Sequence, residues 1–151
     1  MKPVDEHPEL RSMVRVLRII VGFMCVGIGA FLGYLVFVHE WPLEPGDELL
    51  AWVSIALVGS MIPVWVILRF TLVRKARDAY DDDDVSAFRQ RYQSATIVLA
   101  ALIEGPGLFA AIAYMLTESP VALGVACGCL FALLTMIPSE DRVNVLLEDA
   151  P

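Results

Sequence analysis

Catalytic side chains are scarce where this chain is most apolar. Its two histidines, His7 and His39, fall outside the long apolar blocks, so no Ser–His or Cys–His pair sits at depth. No pair of aspartates, no cluster with metal-ligand spacing and no glycine-rich phosphate loop occurs in those blocks. Enzymatic chemistry therefore finds no obvious footing. No basic groove with interleaved aromatics is present to hold nucleic acid. The three cysteines, Cys25, Cys127 and Cys129, all lie in apolar sequence, a poor position for an exported disulfide framework and a good one for small packing residues. The acidic run Asp81–Asp84 lacks the spacing, glycine and terminal Glu of a calcium loop, and reads as a solvated turn whose last Asp caps the next helix. No internal repeat is evident.

Apolar residues are present in excess. They make up 58% of 151 residues, and the mean hydropathy is +0.67. They concentrate in four blocks, Ile19–Val38, Leu49–Leu68, Ala95–Leu116 and Pro120–Pro138. Each has about the 20 residues needed to cross a hydrocarbon core roughly 30 Å thick. The expected fold is all-α: a four-span transmembrane helical bundle forming a single membrane domain over residues 1–151, with the lipid bilayer as its principal partner. No prosthetic group or cofactor is called for. The first block is read as a retained span, because its apolar run exceeds a typical signal h-region and the bulky Phe37-Val-His-Glu-Trp41 offers no cleavage pattern.

The net charge of −7 hides a segregation. Lys2, Arg11, Arg15 and Arg18 precede the first span, and six basic residues from Arg69 to Arg91 flank the connection after the second. The His39–Glu48 and Thr117–Ser119 connections contain no Lys or Arg. The positive-inside rule then places both termini and a middle loop, residues 72–93, in the cytoplasm. A multi-pass protein of the cell membrane, of bacterial inner-membrane type, is the expected location.

Local signals fill in the elements. From Glu9, Met13, Val16, Leu17 and Ile20 recur at helical spacing between arginines, an amphipathic extension leading into span one. Trp41 and Trp52 suit an interfacial belt. Pro63 interrupts span two beside the small residues Ala56, Gly59 and Ser60. Val85, Phe88 and Tyr92 share one face of a segment expected to lie on the membrane surface before span three. Spans three and four, joined by about four residues, are expected to be antiparallel neighbours. Ser139 reads as the N-cap of a short amphipathic C-terminal helix, with Val143, Leu146 and Leu147 resting on the inner leaflet. Small residues point to helix packing: Gly29 and Gly33 form a GxxxG, and Gly124, Gly128 and Ala132 recur every four residues toward span three.

One residue breaks the apolar pattern. Glu104 stands near the middle of the third block, in Leu102-Ile-Glu-Gly-Pro-Gly-Leu-Phe109. A charge there costs roughly 2.5–3.5 kcal/mol on insertion scales. Ala100, Ala101, Gly107, Leu108 and Ala111 share its helical face, and four of these five are small, so Glu104 is expected on a packing face. Pro106 leaves the Leu102 carbonyl without its helical donor, with Gly105 and Gly107 loosening the backbone on either side. A polar pocket of carboxyl, free carbonyl and hydroxyls from Thr96, Ser60 or Tyr114 is one expectation. Two roles follow. In the first, Glu104 is a neutral acid that hydrogen-bonds and packs, and the chain is a non-enzymatic assembly component of a homo-oligomer or larger membrane complex. In the second, Glu104 binds a proton or cation in transit.

The stretch Gln93–Leu116, and above all Leu102–Phe109, resembles the carboxylate-bearing helix of the rotor-ring c subunits of ATP synthases and V-type ATPases. In that family a midmembrane acid followed by small residues and proline holds the transported ion, and Glu104 is the matching position. The resemblance covers about one sixth of the chain. Span two lacks the partner helix's glycine repeat, the middle loop is longer and more acidic, and two further spans are present.

Overall fold

In a computed structural model the described residues are 8–37, 49–81 and 85–148. They form five helices: α1 Pro8–Phe37, α2 Leu49–Asp81, α3 Val85–Thr117, α4 Pro120–Thr135 and α5 Glu140–Glu148. The His39–Glu48 connection, Trp41, Asp82–Asp84 and the side chains of Leu146 and Leu147 lie outside the described residues, so the readings placed on them are not addressed.

Three helical segments are long and apolar enough to cross a membrane: Pro8–Phe37, Leu49–Leu72 and Val85–Thr117. They mark the chain as a helical membrane protein. The fourth apolar block is shorter than its sequence implied. α4 ends at Thr135, and Met136–Ser139 leave the helix. Pro138 accounts for this, since a proline pushes the residue before it away from the α region.

The amphipathic N-terminal stretch does run straight into the apolar part of α1, as one 30-residue helix. The expected middle loop is corrected. α2 continues to Asp81 and α3 starts at Val85, so most of residues 72–93 is helical. Arg, Lys, Ala and Gln are good helix formers. The loss of hydropathy after Leu72 therefore marks an edge of apolar surface and not a helix end. Val85, Phe88 and Tyr92 belong to the same continuous helix as Glu104, so no separate surface segment precedes it.

The α3–α4 link follows the sequence closely. Glu118 adopts a left-handed φ of 52° and its N–H donates to the Tyr114 carbonyl at 2.8 Å. Ser119 is the extended N-cap and Pro120 opens α4, where a missing N–H costs nothing. The Thr117 hydroxyl donates to the Ala113 carbonyl at 2.8 Å and accepts from the Ser119 N–H at 3.3 Å.

Three clusters hold the bundle. At the arginine-bearing end, Leu10, Met13, Val14 and Leu17 of α1 enclose Phe88 of α3 and Val143 of α5. Val143 is fully buried there, which corrects its expected position against lipid. Phe88 and Tyr92 stack at 5.7 Å. Arg11 reaches Glu140 at 3.6 Å and Arg89 reaches Glu9 at 3.8 Å, exposed pairs worth at most about 1 kcal/mol. The middle cluster sets Val21, Cys25, Ile28, Leu32 and Leu35 of α1 against Ala100, Ala110 and Ala111 of α3 and Ala126 and Leu133 of α4. At the far end, Ala51 of α2 meets Ala113 and Ala122.

Candidate functional site

Glu104 lies in mid-α3, where the helix is continuous through Pro106. Of its expected face, Ala100, Gly107 and Ala111 are buried, Leu108 is partly buried and Ala101 is exposed. Glu104 itself is partly buried. The packed face is thus centred a fraction of a turn away from the carboxylate, which sits on its flank. The fully enclosed carboxyl that the sequence implied is corrected to a half-covered one. Among the described residues Glu104 makes no hydrogen bond and no ion pair.

The expected polar pocket does not assemble around it. Leu102 and Pro106 line a cavity shared with α2 and α4. Glu104 and Pro106 are two residues apart, about 160° around the helix, so acid and proline point to different flanks. The Thr96 hydroxyl donates to the Tyr92 carbonyl at 2.9 Å, and Ser60 to Leu57 at 2.8 Å, each within its own helix. Tyr114 packs between the middle and far clusters. Gly105 is exposed with open space where a Cβ would stand.

Of the described glycines, Gly107 has the tightest surroundings. A Cβ there would lie 2.9 Å from Cys129 Cβ on α4 and 3.2 Å from Ile28 Cδ1 on α1. The other small-residue expectations shift. A Cβ on Gly29 would meet Leu130 at an ordinary 3.8 Å, and one on Gly33, Gly124 or Gly128 would meet nothing within 4 Å. The GxxxG and the α4 glycine stripe are therefore not the close contacts inside this chain. The buried stripes are Val21, Cys25, Ile28, Leu32 and Leu35 on α1, and Ala122, Ala126, Cys129 and Leu133 on α4. Gly29 and Gly33 each follow a buried residue by one position, which rotates them off the contact. Cys127 is exposed while Cys129 is buried, as their spacing required.

Among the described residues no group of three or more His, Cys, Asp or Glu side chains could hold a metal ion. Comparison with protein-family models, with curated proteins and with solved structures returns no match.

Proposed function

We propose that this chain is a four-span integral membrane protein of non-enzymatic type, an assembly component whose Glu104 hydrogen-bonds to a helix of another subunit. What supports the reading is the half-covered carboxyl of Glu104, at mid-helix, with no hydrogen-bond or ion-pair partner among the described residues. An unsatisfied polar group in hydrocarbon costs several kcal/mol. A polar atom from a second copy, or from a different membrane subunit, removes that cost and fixes the register of the two helices.

Two further observations favour the topology. The Arg18 side chain donates to the Pro138 carbonyl at 3.3 Å, and Val143 packs on Leu10 and Phe88. α4 with its tail therefore returns to the end where α1 and α3 begin, which supports reading it as a fourth crossing despite its 16 residues. The same contacts bring the start of α1 and α5 to one end. The arginines at that end support reading it as the cytoplasmic side of a cell membrane.

The second reading, a proton- or cation-handling subunit, draws on the same acid beside Pro106 and on the likeness to rotor-ring helices. One series separates the two. Glu104→Gln keeps a hydrogen-bonding amide of similar shape, whereas Glu104→Leu does not. For an assembly role the mass of the detergent-extracted complex is unchanged by Gln and falls by at least one subunit with Leu. For ion handling, Gln abolishes carbodiimide labelling and pH-gradient-driven flux in vesicles. An assembly mass indifferent to Leu refutes the assembly reading.

A further inference from the structure

On the flank of α3 away from Glu104, α2, α3 and α4 splay around an open cavity of about 1180 Å³. Its dimensions follow from its walls. On α2 it runs from Val58 to Arg69, on α3 from Tyr92 to Pro106 and on α4 from Val125 to Thr135. These are steps of roughly ten to fourteen residues, about 15–21 Å at the helical rise, on the order of the thickness of one leaflet of hydrocarbon.

Chemistry along the cavity is graded. Its middle is apolar, with Leu99, Pro106, Val125 and Ala132. Its polar groups gather at the arginine-bearing end, where Arg69, Tyr92, Thr135 and Asp141 line the rim. Arg18 reaches the Pro138 carbonyl at the same rim. Of the residues that line the cavity, Arg69 and Asp141 carry charge, and both stand at this mouth. One turn deeper than Arg69 stands Trp65, with the Arg69 guanidinium 5.1 Å from its ring centroid. The Trp65 indole N–H is covered and has no acceptor among the described residues.

We infer that this groove is a binding site for a phospholipid with an anionic headgroup, drawn from the leaflet at the arginine-bearing end. The phosphate lies at Arg69, the interfacial oxygens lie near Trp65, and one acyl chain runs past Leu99 and Ala132 toward Pro106. The argument for this occupant is a groove length on the order of one leaflet, combined with the Arg69 guanidinium at one end only. A lipid acyl chain needs no polar partner along the middle, and the groove offers none there. Glu104 takes no part, so the inference stands apart from the assembly reading.

Tryptophan quenching tests it. Trp41→Phe and Trp52→Phe leave Trp65 as the sole indole in the full chain. The protein is reconstituted in phosphatidylcholine vesicles, and phosphatidylglycerol with brominated acyl chains is titrated in, against brominated phosphatidylcholine in a parallel series. Trp65 is expected to be half-quenched at about fivefold lower mole fraction of the anionic lipid, the preference one interfacial arginine supplies. Arg69→Gln should merge the two curves, and Arg69→Lys, which keeps the charge, should preserve most of the gap. Ala132→Phe, filling the groove, should lower quenching by both lipids. Helix content by circular dichroism checks that each variant folds. Coincident curves in the parent protein overturn the inference. So does a preference that survives Arg69→Gln, or a Trp65 shielded from both lipids, as a second copy seated in the groove would leave it. Glu104→Leu is expected to leave the quenching gap intact, so failure of the assembly reading and failure of the lipid site are distinguishable.

Discussion

Gly105 and Gly107 sit two residues apart in one helix and are expected to respond to alanine with opposite sign. Replacing glycine by alanine inside a helix gains about 0.8–1.0 kcal/mol of propensity at either position. At Gly105 nothing stands within 4 Å of the new Cβ, so the gain is kept. At Gly107 the new Cβ meets Cys129 Cβ at 2.9 Å and Ile28 Cδ1 at 3.2 Å. Carbon atoms pack best at about 3.5–4.0 Å, so both contacts are compressed. Ile28 Cδ1 is the far end of a flexible chain and can swing away. Cys129 Cβ is fixed to the α4 backbone, and relieving it requires α4 to move as a body. Overpacking of this kind costs about 1–3 kcal/mol.

Because the propensity gain is common to both variants, their difference isolates the steric cost. Gly107→Ala should unfold more easily than Gly105→Ala by about 1–3 kcal/mol. The assay is a reversible dodecyl sulfate titration in mild detergent, followed by circular dichroism. A double-mutant cycle with Cys129→Gly sharpens it. Removing the opposing Cβ should return much of the loss, giving a favourable coupling of about 1 kcal/mol or more. If Gly107→Ala matches Gly105→Ala in stability, α3 and α4 do not meet at Gly107 and the packing described above is wrong.

Two other substitutions probe the ends of the bundle. Phe88→Ala empties the centre of the cluster made with Leu10, Leu17 and Val143, and should cost about 3–5 kcal/mol in the same titration; a loss under about 1 kcal/mol contradicts the enclosure of that ring. Glu118→Gly relaxes the left-handed turn at φ 52° and should raise stability by about 0.5–1 kcal/mol, while Glu118→Val should lower it, both read from thermal melts in detergent.

The parts of the fold that were legible in the sequence are those set by local chemistry. Pro120 after Ser119 fixes where α4 begins, and the brevity of Thr117–Pro120 fixes that α3 and α4 are neighbours. The Phe88–Tyr92 face was readable because two aromatics at i and i+4 meet on any helix. The illegible parts depend on which neighbour a helix turns toward. Periodicity placed Ala100, Gly107 and Ala111 together correctly, yet it could not fix the centre of the face to better than a residue. That margin separates an enclosed Glu104 from one on a flank. The same margin moved Gly29 and Gly33 off the contact. Hydropathy located the apolar surface of α2 but not its helical end, since a helix continues wherever its residues tolerate it, as Arg74 and Lys75 do. The cavity left no local trace, because its walls come from α2, α3, α4 and α5 and only their arrangement creates it.

The composition of the clusters carries a physical distinction. The cluster at the arginine-bearing end is built from large side chains: Leu10, Met13, Leu17, Phe88 and Val143. The α3 and α4 surfaces in the middle carry many small residues, Ala100, Gly107, Ala110, Ala111 and Ala126, beside the large Leu133. Near water, burial of large apolar groups drives association at about 25 cal/mol per Å². Inside hydrocarbon that force is absent, since lipid tails solvate leucine as well as another leucine does, and what remains is close contact between backbones. Small residues permit that contact and large ones forbid it. In the middle a helix is held by fit alone, so a single Cβ at Gly107 matters there as much as the loss of several methylene groups does at the water-facing end. On the assembly reading, Glu104 sits among these helix contacts, where one hydrogen bond to another subunit is a large fraction of any association energy. A carboxyl on the flank of the packed face is positioned to supply it.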